Sequence, residues 1–421
     1  MAASETHRAV EGVWRIESAR LIAGLTRVVR DVGLAEELAQ DALVAALEQW
    51  PRDGVPNNPG AWLMTAAKRR GIDRIRHAAM RERKHVALTY ELDAGRHAPD
   101  PEVALDDQIG DDLLRLIFTA CHPVLSTEAR AALTLRLLGG LSTDEIARAF
   151  LVPEPTIAQR IVRAKKTLAK AKVPFEVPAG DELVARLSSV LEVVYLIFNE
   201  GYTASSGSQW TRPLLVEEAL RLVRILQGLA PAEPEVHGLA ALLEIQASRL
   251  RARVGLHGEV IVLAGQNRAL WDHVLVHRGL DALSRARALR QPPGSYVVQA
   301  EIAACHARAG SVDQTDWSQI QAWYDVLETL IPSPIITLNR AVAVSRTEGP
   351  AAALAIVDGL KSNPLLATYH LLPALRADLL IQLGRTEEAR EELSRAVGLT
   401  RNHKEREYLI KRRDNLISQG V

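Results

Sequence analysis

The chain has 421 residues, with 51 Lys and Arg balanced by 51 Asp and Glu, and is 48% hydrophobic and 24% charged. That length and balance exclude a disordered or fibrous protein and allow two or more domains with cores of their own. Its two cysteines, Cys121 and Cys305, lie far apart with no second thiol at metal spacing, so a disulfide framework and a zinc site are both unsupported and the two thiols are expected as small buried apolar groups.

Aromatic residues make up only 4%, and apolar residues recur at helical rather than alternating spacing almost throughout, which predicts an all-α chain. The Met1 end has no basic-then-apolar leader, and the longest apolar runs, such as Val193 to Phe198, are too short to cross a bilayer. The expectation is a cytoplasmic protein that makes no membrane contact.

In chain order, helices are predicted near 8–30, 34–49 and 60–84, with a turn-rich stretch at 51–60, forming a first unit over 8–90. An acidic, proline-containing segment at 91–110 reads as a flexible linker. A second unit spans 111–173, and the prolines Pro174 and Pro178 mark a boundary before a larger helical region over 181–421.

The zero net charge hides a pattern. Lys68 to Lys84 carries eight Lys and Arg against two acids, Arg160 to Lys172 carries six against none, and Glu91 to Asp112 between them holds eight acids and one Arg. Two basic blocks around an acidic one suit contact with a polyanion at two places, or two solvated helix faces.

The second basic block opens on a recognisable signal. Ser142 and Glu145 form a capping box, so a helix starts at Thr143, packs Ile146, Ala149 and Phe150 inward and breaks before Pro153. Pro155 suits the first turn of the next helix, where Ile157, Ile161, Ala164 and Leu168 make one buried stripe. The opposite face is Thr156, Gln159, Arg160, Arg163, Lys166 and Lys170. A short helix, a tight turn and a second helix with donors and cations outward is what docking in a major groove requires, with arginines on phosphates and Thr156 and Gln159 within reach of base edges. A helical hairpin with a wet basic face is the bland alternative.

The first unit points to other chemistry. From Trp62 a helix carries Lys68, Arg69, Arg70, Arg74 and Arg76, which track a phosphate backbone, while an exposed aromatic suits unstacked bases. Taken alone, a tryptophan such as Trp62 is more often core. Upstream, Leu38, Ala42, Ala45 and Ala46 face a core and leave Glu37, Asp41 and Glu48 on an acidic outer surface, for a protein partner or for water.

Toward the C-terminus, Ala341, Ala353 and Val357 align with Ala377, Ala389 and Leu393 at a period of 36, the packing logic of tetratricopeptide-like (TPR) helix pairs or of an alanine-rich hairpin of no particular family. Polar residues that a bare scaffold does not require stand out here: Asn199, Glu200 and Tyr202; Arg268, Trp271 and Asp272; Asp316 and Trp317; Asn339 and Arg340. Buried, they form an internal network; on a concave face, they form a pocket for a small ligand or a partner's peptide.

The segments AEELAQDALVAALEQW, PGAWLMTAAKRRGIDRIR and GLSTDEIARAFLVPEPTIAQRIVRAKKTL closely resemble the sigma-2 and sigma-4 domains of extracytoplasmic-function (ECF) sigma factors of bacterial RNA polymerase, over residues 8–173. The rest, with YLIFNEGYTASSG, GQNRALWDH, TDWSQIQAWYDVL and PSPIITLNRAVAV, looks like the subgroup carrying a long TPR-like extension. The resemblance implies a non-enzymatic promoter-specificity subunit without cofactor or metal, partnered by core RNA polymerase and promoter DNA, with a regulatory protein or small ligand at the extension. It implies that Glu37 and Asp41 meet the polymerase, that Thr156, Gln159, Arg160, Arg163 and Lys166 read the −35 element, and that Asn57, Asn58, Trp62, Lys68, Arg69, Arg70, Arg74 and Arg76 take the melted −10 strand. Arg69 stands where many members have Asn, and Pro155 where Gly is common.

Two other readings compete: a free-standing helix-turn-helix regulator with a repeat-type sensor, and an enzyme or scaffold in 181–421 with the DNA module as accessory. No nucleophile with its base, phosphate loop or zincin helix is found; the segment at 255–265 lacks the P-loop lysine, and His273 with His277 lacks the accompanying glutamate.

Overall fold

The computed structural model describes residues 2–70, 105–150, 152–203, 211–255, 259–400 and 402–418. Among them the chain is helical, with a single isolated bridge between Val254 and Val260, and no helix is long and apolar enough to cross a membrane. It divides into two compact units, Met1–Val193 and Val194–Val421.

Unit 1 begins with α1 (Ala2–Val29) and α2 (Val32–Asp53), which pack along each other. The Asp31 carboxylate caps α2 by accepting from the Leu34 amide at 2.9 Å. Its buried face is Val32, Ala35, Leu38, Ala39, Ala42, Ala45, Ala46 and Trp50, so the four positions expected inside are inside. The helix runs through Pro51 and ends at Gly54, whose φ of 84° favours glycine. Helix α3 starts at residue 59 and is described to residue 70.

The predicted linker needs correction at its far end. Helix α4 spans Leu105–Ala120, so residues 105–110 are helical rather than linker; 91–104 lie outside the described residues. Helices α5 (Thr127–Leu137), α6 (Thr143–Phe150) and α7 (Glu154–Lys170) follow.

Helix α8 (Asp181–Tyr202) moves the predicted boundary, because its first half belongs to unit 1. Arg186 donates to the Phe118 carbonyl at 2.9 Å and Ser189 to the Cys121 carbonyl at 2.7 Å, satisfying acceptors at the end of α4. Arg130 of α5 reaches Ser189 and Glu192 in turn. Prolines at 174 and 178 mark a bend, after which the chain folds back onto the same core.

In unit 2, α9 (Pro213–Leu229), α10 (Pro234–Ser248), α11 (His273–Ala288) and α12 (Ser295–Arg308) form a bundle around α10, which is buried at 13 of its 15 residues. Glycine permits this: a Cβ on Gly238 would lie 2.6 Å from the Val297 amide nitrogen of α12. Gly238→Ala is therefore expected to destabilise the protein by about 1–3 kcal/mol through overpacking. Gly359, with open space around it, should instead tolerate alanine or gain up to about 1 kcal/mol from helix propensity. Chemical denaturation of the two variants checks the contrast.

Helices α13 (Trp317–Leu330), α14 (Pro334–Thr347), α15 (Pro350–Leu360), α16 (Leu371–Gln382), α17 (Thr386–Leu399) and α18 (His403–Ser418) then pack each on the next. The 36-residue repeat corresponds to the α14–α15 and α16–α17 pairs. Ala341, Ala353 and Val357, like their counterparts Ala377, Ala389 and Leu393, are fully buried in one cluster.

Candidate nucleic-acid interface

Both halves of the predicted capping box form. The Glu145 amide donates to Ser142 Oγ at 3.1 Å, and the Ser142 amide donates to the Glu145 carboxylate at 2.8 Å. Helix α7 has Glu154 and Pro155 in its first turn and buries Ile157, Ile161, Ala164 and Leu168. Thr156, Gln159, Arg163 and Lys166 are exposed, and Arg160 is half-buried. Thr156, Gln159, Arg160 and Arg163 line a cleft of about 370 Å³ with Val124 and Ser126 from the turn before α5. Hydrogen bonds at the start of α5, and then the Arg160 cation, hold the Glu128 carboxyl below its ordinary range. The donors and cations on this face of α7 thus point outward together, on a helix fixed by four apolar anchors.

At the other surface, Trp62 is half-buried, with its ring edge-to-face on buried Trp50 at 5.4 Å and 67°. It is neither fully core nor fully exposed. Asn57 and Asn58 are exposed, but the Asn58 carboxamide caps α3, accepting from the Ala61 amide at 3.1 Å. Lys68 is half-buried, Arg69 exposed, and half-buried Arg70 donates to the Asp41 carbonyl on α2. Arg74 and Arg76 lie outside the described residues. Glu37 is exposed and Asp41 half-buried on α2.

The residue that sequence reading missed is Glu36. It is only 3% exposed and forms ion pairs with Arg136 of α5, at 2.6 Å, and with Lys165 of α7. Gln40 donates to it at 2.7 Å, and Arg136 also holds the Leu141 carbonyl at 3.0 Å before α6. One buried carboxylate therefore fastens α2 to the helix-turn-helix. The available signal was position: Glu36 lies four residues after Val32 and three before Ala39, on the apolar stripe.

The polar residues singled out in unit 2 occupy several places. Glu200 pairs with Arg212, and Arg253 lies 3.6 Å above the Tyr202 ring. Arg268 donates to the His306 and Ala309 carbonyls at the end of α12 and, with Arg249, flanks buried Trp271. Asp272 caps α11 and Asp316 caps α13. Trp317 meets His306 edge-on, Arg340 pairs with Asp325 at 2.5 Å, and Asn199 and Asn339 are exposed.

Burial, and then the cations Arg249 and Arg268, push the His306 imidazole down to about 4. The folded protein thus keeps this ring neutral where an unfolded chain takes up a proton. Its contribution is complete above about pH 6.5 and is lost as pH falls toward 4. Wild type should lose about 2–3 kcal/mol more stability than His306→Gln between pH 7.5 and 4.5, measured by denaturant titration.

A capped helix, a proline turn and a second helix with four apolar anchors inside and donors outside define a helix-turn-helix protein. Comparison with known proteins narrows this: Sigma-70 region 2 matches residues 16–81, Sigma-70, region 4 matches 115–168, and a family of unknown function (DUF6596) matches 186–287. An uncharacterized protein of Rhizobium meliloti is 44% identical over 94% of this chain and 93% of its own length. The ECF RNA polymerase sigma factor SigK of Mycobacterium tuberculosis is 30% identical, over 35% of this chain and 78% of its own. The probable ECF sigma factor SigI of the same species is 28% identical over 43% of this chain and 61% of its own. The chain belongs to the ECF RNA polymerase sigma factors.

Proposed function

We propose that unit 1 directs core RNA polymerase to its promoters and that unit 2 is a TPR-like extension that modulates this activity. Helix α7 reads the −35 duplex, Thr156 and Gln159 at base edges and Arg160, Arg163 and Lys166 on the backbone. The surface of Asn57, Trp62, Lys68 and Arg69 takes the melted −10 strand, and Arg74 and Arg76, outside the described residues, are assigned to the same strand by the sequence resemblance alone. Asn58 and Arg70 serve by position, one capping α3 and the other tying it to α2. Glu37 and Asp41 meet the polymerase. The cytoplasm is the site of action.

The observation that carries this reading is the division of α7 into a buried apolar stripe and an outer face of donors and cations. A structural hairpin has no need of such a face. Footprinting of the polymerase complex on a cognate promoter tests the assignment. Protection at −35 should disappear with Arg163→Ala, while base reactivity at −10 should change with Trp62→Ala.

Unit 2 adds contacts that the transcription complex needs. Its removal must leave α8 through Val193, because Arg186 and Ser189 complete unit 1. A chain ended after Val193 is expected to keep the helicity of unit 1 and to lose most run-off transcription. Raised transcription would make unit 2 an inhibitory cover instead.

A further inference from the structure

Within unit 2, helices α10, α12, α14, α16 and α18 and the segment 260–266 line a cavity of about 850 Å³. That volume lies in the range of sites that take small organic molecules. Much of the wall is apolar, with Val262, Leu263, Leu338, Val342, Leu371 and Leu375 among its residues. Into this surface are set arginines held by neutral groups. Arg249 donates to the side-chain carbonyls of Gln246 and Gln266 at 3.1 and 3.2 Å and lies over Trp271. Arg346, from α14, lies 5.5 Å from the centroid of Trp317.

The carboxylates on the same wall are already matched. Asp378 is paired with Arg412, and Glu405 is held by His370 at 2.9 Å and by Thr400 at 2.7 Å. Burial lowers the pKa of Arg249; among its neighbours, Tyr202 opposes that shift and the cations Arg253 and Arg268 add to it. The hydroxyl of Tyr202, also on the wall, is buried with no hydrogen-bond partner among the described residues. A cationic wall with a waiting donor and an apolar floor lacks one component, an anion that brings its own apolar body.

We propose that this cavity binds a small organic carboxylate, its anionic head received by Arg249, Arg346 and the Tyr202 hydroxyl and its hydrocarbon part by the apolar wall. Binding itself is independent of the sigma-factor reading. Its effect on transcription rests on that reading.

The test uses the full chain without polymerase or DNA, so a negative result leaves promoter function untouched. Octanoate and 3-phenylpropionate serve as probes by calorimetry and tryptophan fluorescence, against octanol as neutral counterpart, inorganic phosphate and an aspartate-rich peptide. The expected result is saturable binding of one carboxylate probe per chain, weakened about tenfold or more by Arg249→Gln and by Arg346→Gln, with octanol and phosphate both much weaker. Arg346 is exposed, so its variant keeps the test valid where Arg249→Gln disturbs folding. Absence of saturation, equal binding of octanol, equal affinity in the Arg346 variant, or saturation by the peptide alone would overturn the proposal.

Discussion

Replacing Arg160 and Arg163 together by alanine is expected to lower promoter-dependent transcription by about 30-fold to 1,000-fold, since each lost contact to a base or phosphate is worth roughly 1–2 kcal/mol. The loss should be specific. Arg163 is exposed and Arg160 half-buried, on a helix anchored from its other face, so stability should change by no more than about 0.5 kcal/mol. The salt dependence supplies an independent signature: each phosphate contact removed lowers the slope of log affinity against log salt by about one unit. A double variant that transcribes normally across a salt series would show that α7 is not the reader.

Glu36→Ala is expected to act in two opposite directions. Removing one partner of a buried ion pair commonly costs about 3–5 kcal/mol, because the other charge is stranded. Here the Arg136 and Lys165 side chains each keep 23% exposure and can be hydrated, so a loss nearer 2 kcal/mol is expected. The gain is in promoter binding. Elements near −10 and −35 are separated by about 25 base pairs, roughly 85 Å of B-DNA. A compact body of 193 residues has a radius of gyration of only about 16 Å. If α7 reads −35 and α3 takes the −10 strand as proposed, unit 1 in this compact form is too small to reach both elements, and the Glu36 contact with Lys165 is expected to open on the promoter. Loosening it should raise the affinity of the polymerase complex for promoter DNA several-fold while lowering the melting temperature of the free protein. A variant with lowered stability and unchanged promoter affinity would reduce Glu36 to a purely structural role.

The helix-turn-helix was legible because its signals are local. A capping box, a proline in the first turn and four apolar residues at helical spacing each constrain only their own segment, and all appear as read. The core of α2 was legible for the same reason. Glu36 was not, because its partners are 100 and 129 positions away and only the tertiary fold brings Arg136 and Lys165 to it. The division within α8 was likewise out of reach of local signals: Pro174 and Pro178 announce a bend, and the contacts of Arg186 and Ser189 with the end of α4 set the first half of α8 against the core of unit 1. In unit 2, Asp272 and Asp316 stood out as polar residues needing partners. Their partners are the amides two and three residues on, a capping role that the local sequence already permitted.

The most direct measurement is run-off transcription with purified core RNA polymerase on a library of genomic promoter fragments, with and without the full chain. Transcripts are expected from discrete start sites that depend on the chain, share a −35 motif and weaken with the Arg160 and Arg163 variants. Transcription no greater than that of core polymerase alone, from a chain that binds specific duplex DNA unaided, would contradict it and make the protein a free-standing regulator.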